Sequence, residues 1–263
     1  MPANRKQANP DICALMKNTA AGTGHAAALV TTTPVTQDRD RAVYNWQQRH
    51  AEILARNKEI KPDVVFFGDS IIHYWGGEPK APQAWGAQAW AHCFAGVSVA
   101  NFGFGWDRTE NVLWRIGHGE LDGIQPKVII IKIGTNNIGL NTPEDIAAGI
   151  EAVCAAAHAK QPRAKILLLG ILARRDEQPG HSVTERVNQL LAAHVKGVDY
   201  ATFRDCGTAL RNADGIPNAA FFADDVHINA AGYKILGAQV CAELASLMKH
   251  NHDPGKIKTR PGA

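Results

Sequence analysis

Two short stretches of this chain, Val128-Ile129-Ile130-Ile131 and Ile166-Leu167-Leu168-Leu169, are apolar at every position. A strand with one face in water alternates apolar and polar residues. A run without alternation suits a parallel strand covered on both faces. Val64-Val65-Phe66-Phe67 is a third such run, and it stops abruptly at Gly68-Asp69-Ser70. Weaker strand signals complete a set of five: Asp63–Gly68, Val97–Phe102, Lys127–Ile133, Ala164–Ile171 and Asp199–Phe203.

Helical patterns lie between and around these strands. They cover Asp40 to Ile60, Pro82–His92, Arg108–Gly117, Pro143–Lys160, Thr184–Lys196 and Ala231–Lys249. Thr142-Pro143-Glu144-Asp145 is the strongest start, with a hydroxyl cap, proline at the first helical position and acids near the positive end of the helix. Asp107 followed by Glu110 reads as a similar, acidic start. Strands separated by helices predict an α/β fold, a three-layer α/β/α sandwich on about five parallel strands. The expected organisation is a flexible leader over 1–38, a single domain over 39–250 and a flexible tail over 251–263.

Composition narrows the function. A formal charge of +3, with basic residues gathered from Lys249 to Arg260, gives no clustered footprint for nucleic acid. No apolar run reaches the roughly 18 residues of a membrane-spanning helix. The mildly apolar stretch Ile12 to Val30 is interrupted by Lys17, Asn18 and His25, which makes a poor signal-peptide core. The compartment stays open between the cytoplasm and export with a trimmed signal. The five cysteines (Cys13, Cys93, Cys154, Cys206, Cys241) are scattered and form no CxxC, so neither structural zinc nor a disulfide framework is implied. Buried or idle thiols are expected.

In a parallel sheet all strands point the same way, so the turns after the first three share one rim, where α/β sheets bind ligands. Those turns carry Gly68-Asp69-Ser70-Ile71, Asn101-Phe102-Gly103-Phe104-Gly105-Trp106-Asp107 and Gly134-Thr135-Asn136-Asn137. Ser70 is the candidate nucleophile, although a serine at a strand end also serves as a helix cap. Activation needs a base held by a third group. His227, in the irregular loop from Asn212 to Asn229, is the best placed histidine, and both Asp224 and Asp225 compete to orient it. Asn136 offers a side-chain amide to a developing oxyanion, against a plain polar-turn reading. His73 and Tyr74-Trp75 follow Ser70 closely and are candidates for lining the pocket, as is Gly105. Gly103-Phe104-Gly105 lacks the third glycine of a dinucleotide loop, since Arg108 stands there.

Taken in order, the blocks Gly68-Asp69-Ser70, Asn101-Phe102-Gly103, Gly134-Thr135-Asn136-Asn137 and Asp224-x-x-His227 resemble the SGNH, or GDSL, hydrolases. Val112-Leu113-Trp114-Arg115 and Gly119-Glu120-Leu121 extend the likeness to the branch around the platelet-activating-factor acetylhydrolase catalytic subunits. The likeness runs from Pro62 to Val240. It implies a flavodoxin-like sandwich and a serine esterase with no cofactor and no metal. It assigns Ser70 as nucleophile, His227 as base and Asp224, rather than Asp225, as the orienting acid. The oxyanion hole would combine the backbone N–H of Ser70, a backbone N–H in the second block and Asn136.

There is one departure. The family's oxyanion glycine directly precedes the aspartate of the second block, and here Trp106 stands at that position. The resulting expectation is hydrolysis of a small acyl ester, acetyl first among them, with a flat or sugar-like alcohol against Trp106, Tyr74 and Trp75. The rival enzyme readings are a phospholipid acetylhydrolase, a lipase and a thioesterase. The rival from another class is a glycan-binding or scaffold protein whose site Trp106 disables. Dimers occur in this branch, so a homodimer is among the expected states.

Overall fold

In a computed structural model, residues 29–177 and 182–250 are described. Five strands form one parallel sheet: β1 (Val64–Gly68), β2 (Val99–Gly103), β3 (Val128–Lys132), β4 (Lys165–Leu169) and β5 (Ala201–Arg204). Their order is β2-β1-β3-β4-β5, the flavodoxin-like arrangement. The helices are α1 (Trp46–Glu59), α2 (Ser70–His73), α3 (Ala87–Cys93), α4 (Thr109–Gly117), α5 (Pro143–Lys160), α6 (Val183–His194) and α7 (Ala230–His250).

The apolar strands are covered on both faces, as their lack of alternation requires. Successive side chains point to opposite faces of a strand, so each run divides between two cores. Val65, Phe67, Ile129, Ile131, Ile166 and Leu168 pack with α1, α4, α5 and α6. Val64, Phe66, Val128, Ile130, Leu167 and Leu169 pack with α2, α3 and α7. The register Gly68↔Gly103 and Gly68↔Lys132 brings the ends of β1, β2 and β3 level. The strand order reverses at β1, so the turns after β1 and β3 flank the crevice where such sheets bind ligands.

Local signals decide the element ends. The α5 helix begins as its start signal predicts, with Thr142 Oγ1 accepting from Asp145 N at 3.1 Å and Pro143 in the first turn. The first helix is shorter than expected. It starts at Trp46, where Asn45 accepts from Gln48 N, and not at Asp40. The α3 helix likewise starts at Ala87 and not at Pro82.

Three expectations need correction. Residues 29–38 are not a free leader but the first part of a strap, residues 29–45, docked on the domain. Thr31 is buried, its hydroxyl donates to Asp145 O at 2.8 Å, and its carbonyl accepts from Thr109 Oγ1 at 2.8 Å. Val35 N donates to Glu110 O at 3.1 Å. The rest of the expected leader, 1–28, and the tail, 251–263, lie outside the described residues. Cys93 and Cys241, expected as idle thiols, pair as a disulfide joining α3 to α7 across 148 residues. Cys154 and Cys206 are free and buried, and Cys13 lies outside the described residues. Finally, Asp107 is not a helix cap. Its carboxylate turns inward, while Asn111 Oδ1 accepts from Arg108 N at 2.9 Å to start α4. Among the described residues, no helix is long and apolar enough to cross a membrane.

Candidate active site

The turn after β1 separates the two roles open to its serine. The short helix α2 is capped by Asp69, whose Oδ1 accepts from Ile71 N at 3.0 Å. The capping role is therefore taken, and the Ser70 hydroxyl is released for other use. It meets His227 Nε2 at 2.8 Å. Gly68 allows this tight turn, because a Cβ there would come within 2.5 Å of the Lys132 carbonyl. Beneath the turn the buried Lys132 ammonium bonds Asp69 Oδ2 at 3.1 Å and Thr135 Oγ1 at 2.7 Å, which ties the end of β1 to the turn after β3. Burial lowers the Lys132 pKa, and the Asp69 carboxylate opposes that shift.

His227 is held from its other nitrogen. Asp224 Oδ2 accepts from His227 Nδ1 at 2.8 Å, and Asp224 Oδ1 accepts from the backbone N–H groups of Val226 and His227 at 2.8 and 2.7 Å. Burial raises the Asp224 pKa, but these backbone and imidazole donors outweigh it and hold the carboxyl below its ordinary range. Asp225 points elsewhere, 3.8 Å from Arg175. With Nδ1–H donated to Asp224, Nε2 is the imidazole's acceptor and the Ser70 hydroxyl its donor.

The turn after β2 carries the unusual tryptophan. Trp106 adopts φ 62°, the left-handed region that glycine occupies freely and a bulky side chain does not. The backbone at this position has thus kept the conformation a glycine would take, and the indole is half exposed (50%). The neighbouring N–H groups are occupied: Gly105 N donates to His73 Nδ1 at 3.1 Å and Asp107 N to Phe104 O at 3.2 Å. Among the described residues, the Trp106 N–H makes no hydrogen bond. From the turn after β3, Asn136 Nδ2 donates to the Asp107 carbonyl at 2.9 Å. An amide nitrogen carries two hydrogens, so one remains.

Other expected site residues stand differently. Trp75 does not line the pocket; it is fully buried between Phe66, Trp90, Phe94 and Tyr233. His73 is also fully buried, beside Tyr44 and Tyr74, and serves as acceptor for the Gly105 N–H. Gly105 lies beneath the strap, where a Cβ would press on Asp40, Tyr44 and Tyr74 at 3.1 to 3.3 Å. Tyr74 is nearly buried, but its ring lies 6.1 Å from that of His227. Two residues that sequence reasoning missed complete this side. Trp85 stands edge-on to His227 at 5.6 Å, and Asp40 accepts from the Tyr74 hydroxyl at 3.3 Å. Both fall inside stretches that read as helical, Asp40 to Ile60 and Pro82–His92, whereas each lies in the loop before its helix, so the helical pattern does not mark its place at the site.

His73 has a measurable consequence. Burial, with Arg49 and Arg115 nearby, pushes its pKa down to about 2, so the folded chain keeps it neutral. An unfolded chain binds that proton below about pH 6.5. The stability contributed by neutral His73 is therefore complete above about 6.5 and is lost as pH falls below it, at about 1.4 kcal/mol per pH unit. Urea unfolding from about pH 7 to about pH 4.5 should show a shallower decline for His73→Asn, whose Oδ1 can still accept the Gly105 N–H. Equal slopes for the two proteins would refute the assignment.

Among the described residues, no group of three or more His, Cys, Asp or Glu is arranged to hold a metal ion. The family model for the GDSL-like lipase/acylhydrolase family matches residues 66–235. The chain is 33% identical over 204 residues to platelet-activating factor acetylhydrolase IB subunit alpha1 of Bos taurus, covering 77% of this chain and 82% of that protein. It is 34% identical over the same length to subunit alpha2 of Homo sapiens, covering 77% and 83%. A solved putative acylhydrolase from Bacteroides fragilis matches with a TM-score of 0.61 at 20% identity, over 79% of this chain and 99% of that one. The chain belongs to the GDSL-like lipase/acylhydrolase family and is a carboxylic ester hydrolase.

Proposed function

We propose that this esterase removes small acyl groups, acetyl foremost, through an acyl-enzyme on Ser70. The observation that carries this reading is the unbroken relay from Ser70 Oγ through His227 to Asp224, with both contacts at 2.8 Å. Ser70 Oγ attacks the ester carbonyl carbon as His227 Nε2 takes its proton, and Asp224 stabilises the imidazolium that forms. The carbonyl oxygen becomes an oxyanion facing three donors. These are the Ser70 N–H, which as a first-turn amide has no intrahelical partner, the Trp106 N–H and the second Asn136 hydrogen. Collapse breaks the bond to the alcohol oxygen, which leaves with the proton from His227. Water then attacks the acyl-enzyme, giving its proton to His227, and the carboxylic acid departs as Ser70 regains its hydrogen.

The names of the curated relatives support acetyl as the acyl group. The half-exposed Trp106 indole, beside its own candidate donor N–H, offers a flat face to the alcohol and favours a carbohydrate. The same relatives favour a second reading, an acetylated phospholipid. Turnover of 4-nitrophenyl esters should fall steeply from acetate to decanoate, and acetylated sugars compared with acetylated phospholipids identify the alcohol. A preference for decanoate would overturn the small-acyl assignment. Asn136→Ala should lower kcat by about 10²- to 10³-fold. Unchanged kcat would remove Asn136 from the hole.

A further inference from the structure

We infer that the strap preceding α1 is a working part of the active site, in which Gln37 and Arg39 act as positioning residues for the Trp106 N–H. This rests on the proposed role of that N–H in the oxyanion hole. A tryptophan at φ 62° does not hold its conformation unaided; such a backbone persists only where its surroundings over-determine it. Here the strap supplies much of that restraint. The Gly105 carbonyl accepts from Gln37 Nε2 at 3.0 Å and from Tyr44 Oη at 2.8 Å. The Trp106 carbonyl accepts from Arg39 Nη1 at 2.9 Å. Gln37 Nε2 also reaches Asp107 Oδ1 at 3.1 Å. The two carbonyls flanking the Trp106 N–H along the chain are therefore both held by strap side chains, which fixes the peptide plane that aims it.

The strap is itself anchored to the domain body. Arg39 Nη1 also bonds Asn111 Oδ1 at 3.0 Å, and Asn111 Nδ2 donates to Val35 O at 2.9 Å. Thr31 sits so close to α5 that a Cβ on Gly149 would meet its side chain at 2.9 Å. Gln37 Oε1 accepts from Arg39 N at 2.7 Å, which couples the two positioning residues. The chain before α1 thus reaches from α4 and α5 to the loop at the end of β2. Where a glycine would supply the conformation by itself, this chain uses Trp106 and a brace.

The two roles of the strap, cover or positioning element, differ in kinetics. A donor that acts on the developing oxyanion changes kcat and leaves ground-state binding alone. Arg39→Ala and Gln37→Ala should each lower kcat for 4-nitrophenyl acetate by about 10- to 100-fold, since small misplacements of reacting geometry have effects of this size. KM should change less than about twofold. The melting temperature of Arg39→Ala should stay within about 2 °C, because its side chain is at the surface. Arg39→Lys should recover part of kcat, as an ammonium can reach one carbonyl. Arg41→Ala, on the same strap but, among the described residues, paired only with Asp38, should match the parent protein. Rates are normalised to active sites titrated with a fluorophosphonate. Parental kcat in both Arg39→Ala and Gln37→Ala overturns the inference, as does a loss seen only in the fraction of active sites. Either result leaves the Ser70 mechanism standing. That mechanism fails separately, if Ser70→Ala keeps its turnover.

Discussion

Ser70→Ala is expected to lower kcat for 4-nitrophenyl acetate on the order of 10⁶-fold, the size of loss seen when a triad loses its nucleophile, which is the role proposed for Ser70. The fold should survive unchanged. Asp69, not Ser70, caps α2, so removing the hydroxyl takes no bond from the helix start. The change also leaves the Asp69–Lys132 pair beneath the turn intact. A fluorophosphonate should add its mass to the parent protein on the peptide bearing Ser70 and add nothing to the variant. Turnover retained in Ser70→Ala, or the label on another serine, would sink the assignment. Asp224→Asn tests the third member: it keeps the shape but disturbs the imidazole tautomer, and a loss of about 10⁴-fold in kcat is expected.

Much of this arrangement was legible because its signals are local. The unalternating runs at β1, β3 and β4 required cover on both faces, and two cores cover them. Four consecutive residues from Thr142 mark the start of α5, and the blocks at Ser70, Asn136 and Asp224 to His227 sit at or near the strand-end rim. What escaped depends on long-range contact. Residues 29–38 lack periodicity, because a strap docks through side chains such as Thr31 and Gln37 and not through a repeating apolar face. Trp75 and His73 stand beside the nucleophile in sequence. Yet α2 turns them inward, Trp75 into the core under α7 and His73 under Gly105. The Cys93–Cys241 pairing joins positions 148 residues apart, and nothing in their spacing announces it. Asp107 read as a cap because its neighbours in sequence are helical, whereas its partners in space, Trp46 and Gln37, precede it by 61 and 70 residues.

Arg115→Met is expected to destabilise the fold by about 3–5 kcal/mol, the range for breaking a buried ion pair from one side. Arg115 is fully buried, donating from Nε to Asp107 Oδ2 at 2.8 Å and from Nη1 to Glu120 Oε2 and to the Phe102 carbonyl. Its guanidinium lies 4.0 Å from the Phe104 ring centroid. Methionine fills much of the volume but leaves two buried carboxylates without their cation. Burial already raises the Asp107 pKa, and Arg115 is the largest influence holding it down, so the raised value climbs further in the variant. Function should suffer with stability, because Asp107 connects the Trp106 loop to Trp46, Gln37 and Asn136. Urea unfolding at constant pH measures the first effect, and kcat per titrated site the second. A change below about 1 kcal/mol would mean that the cluster contributes no net stability, as whole buried pairs sometimes do. Glu120→Gln in the Arg115→Met background separates charge from packing. The amide needs no counter-ion and can still accept from His50, which bonds Glu120 Oε1 at 2.8 Å in the parent. Part of the lost stability should return while kcat stays low, because the Asp107 side of the cluster still lacks its cation.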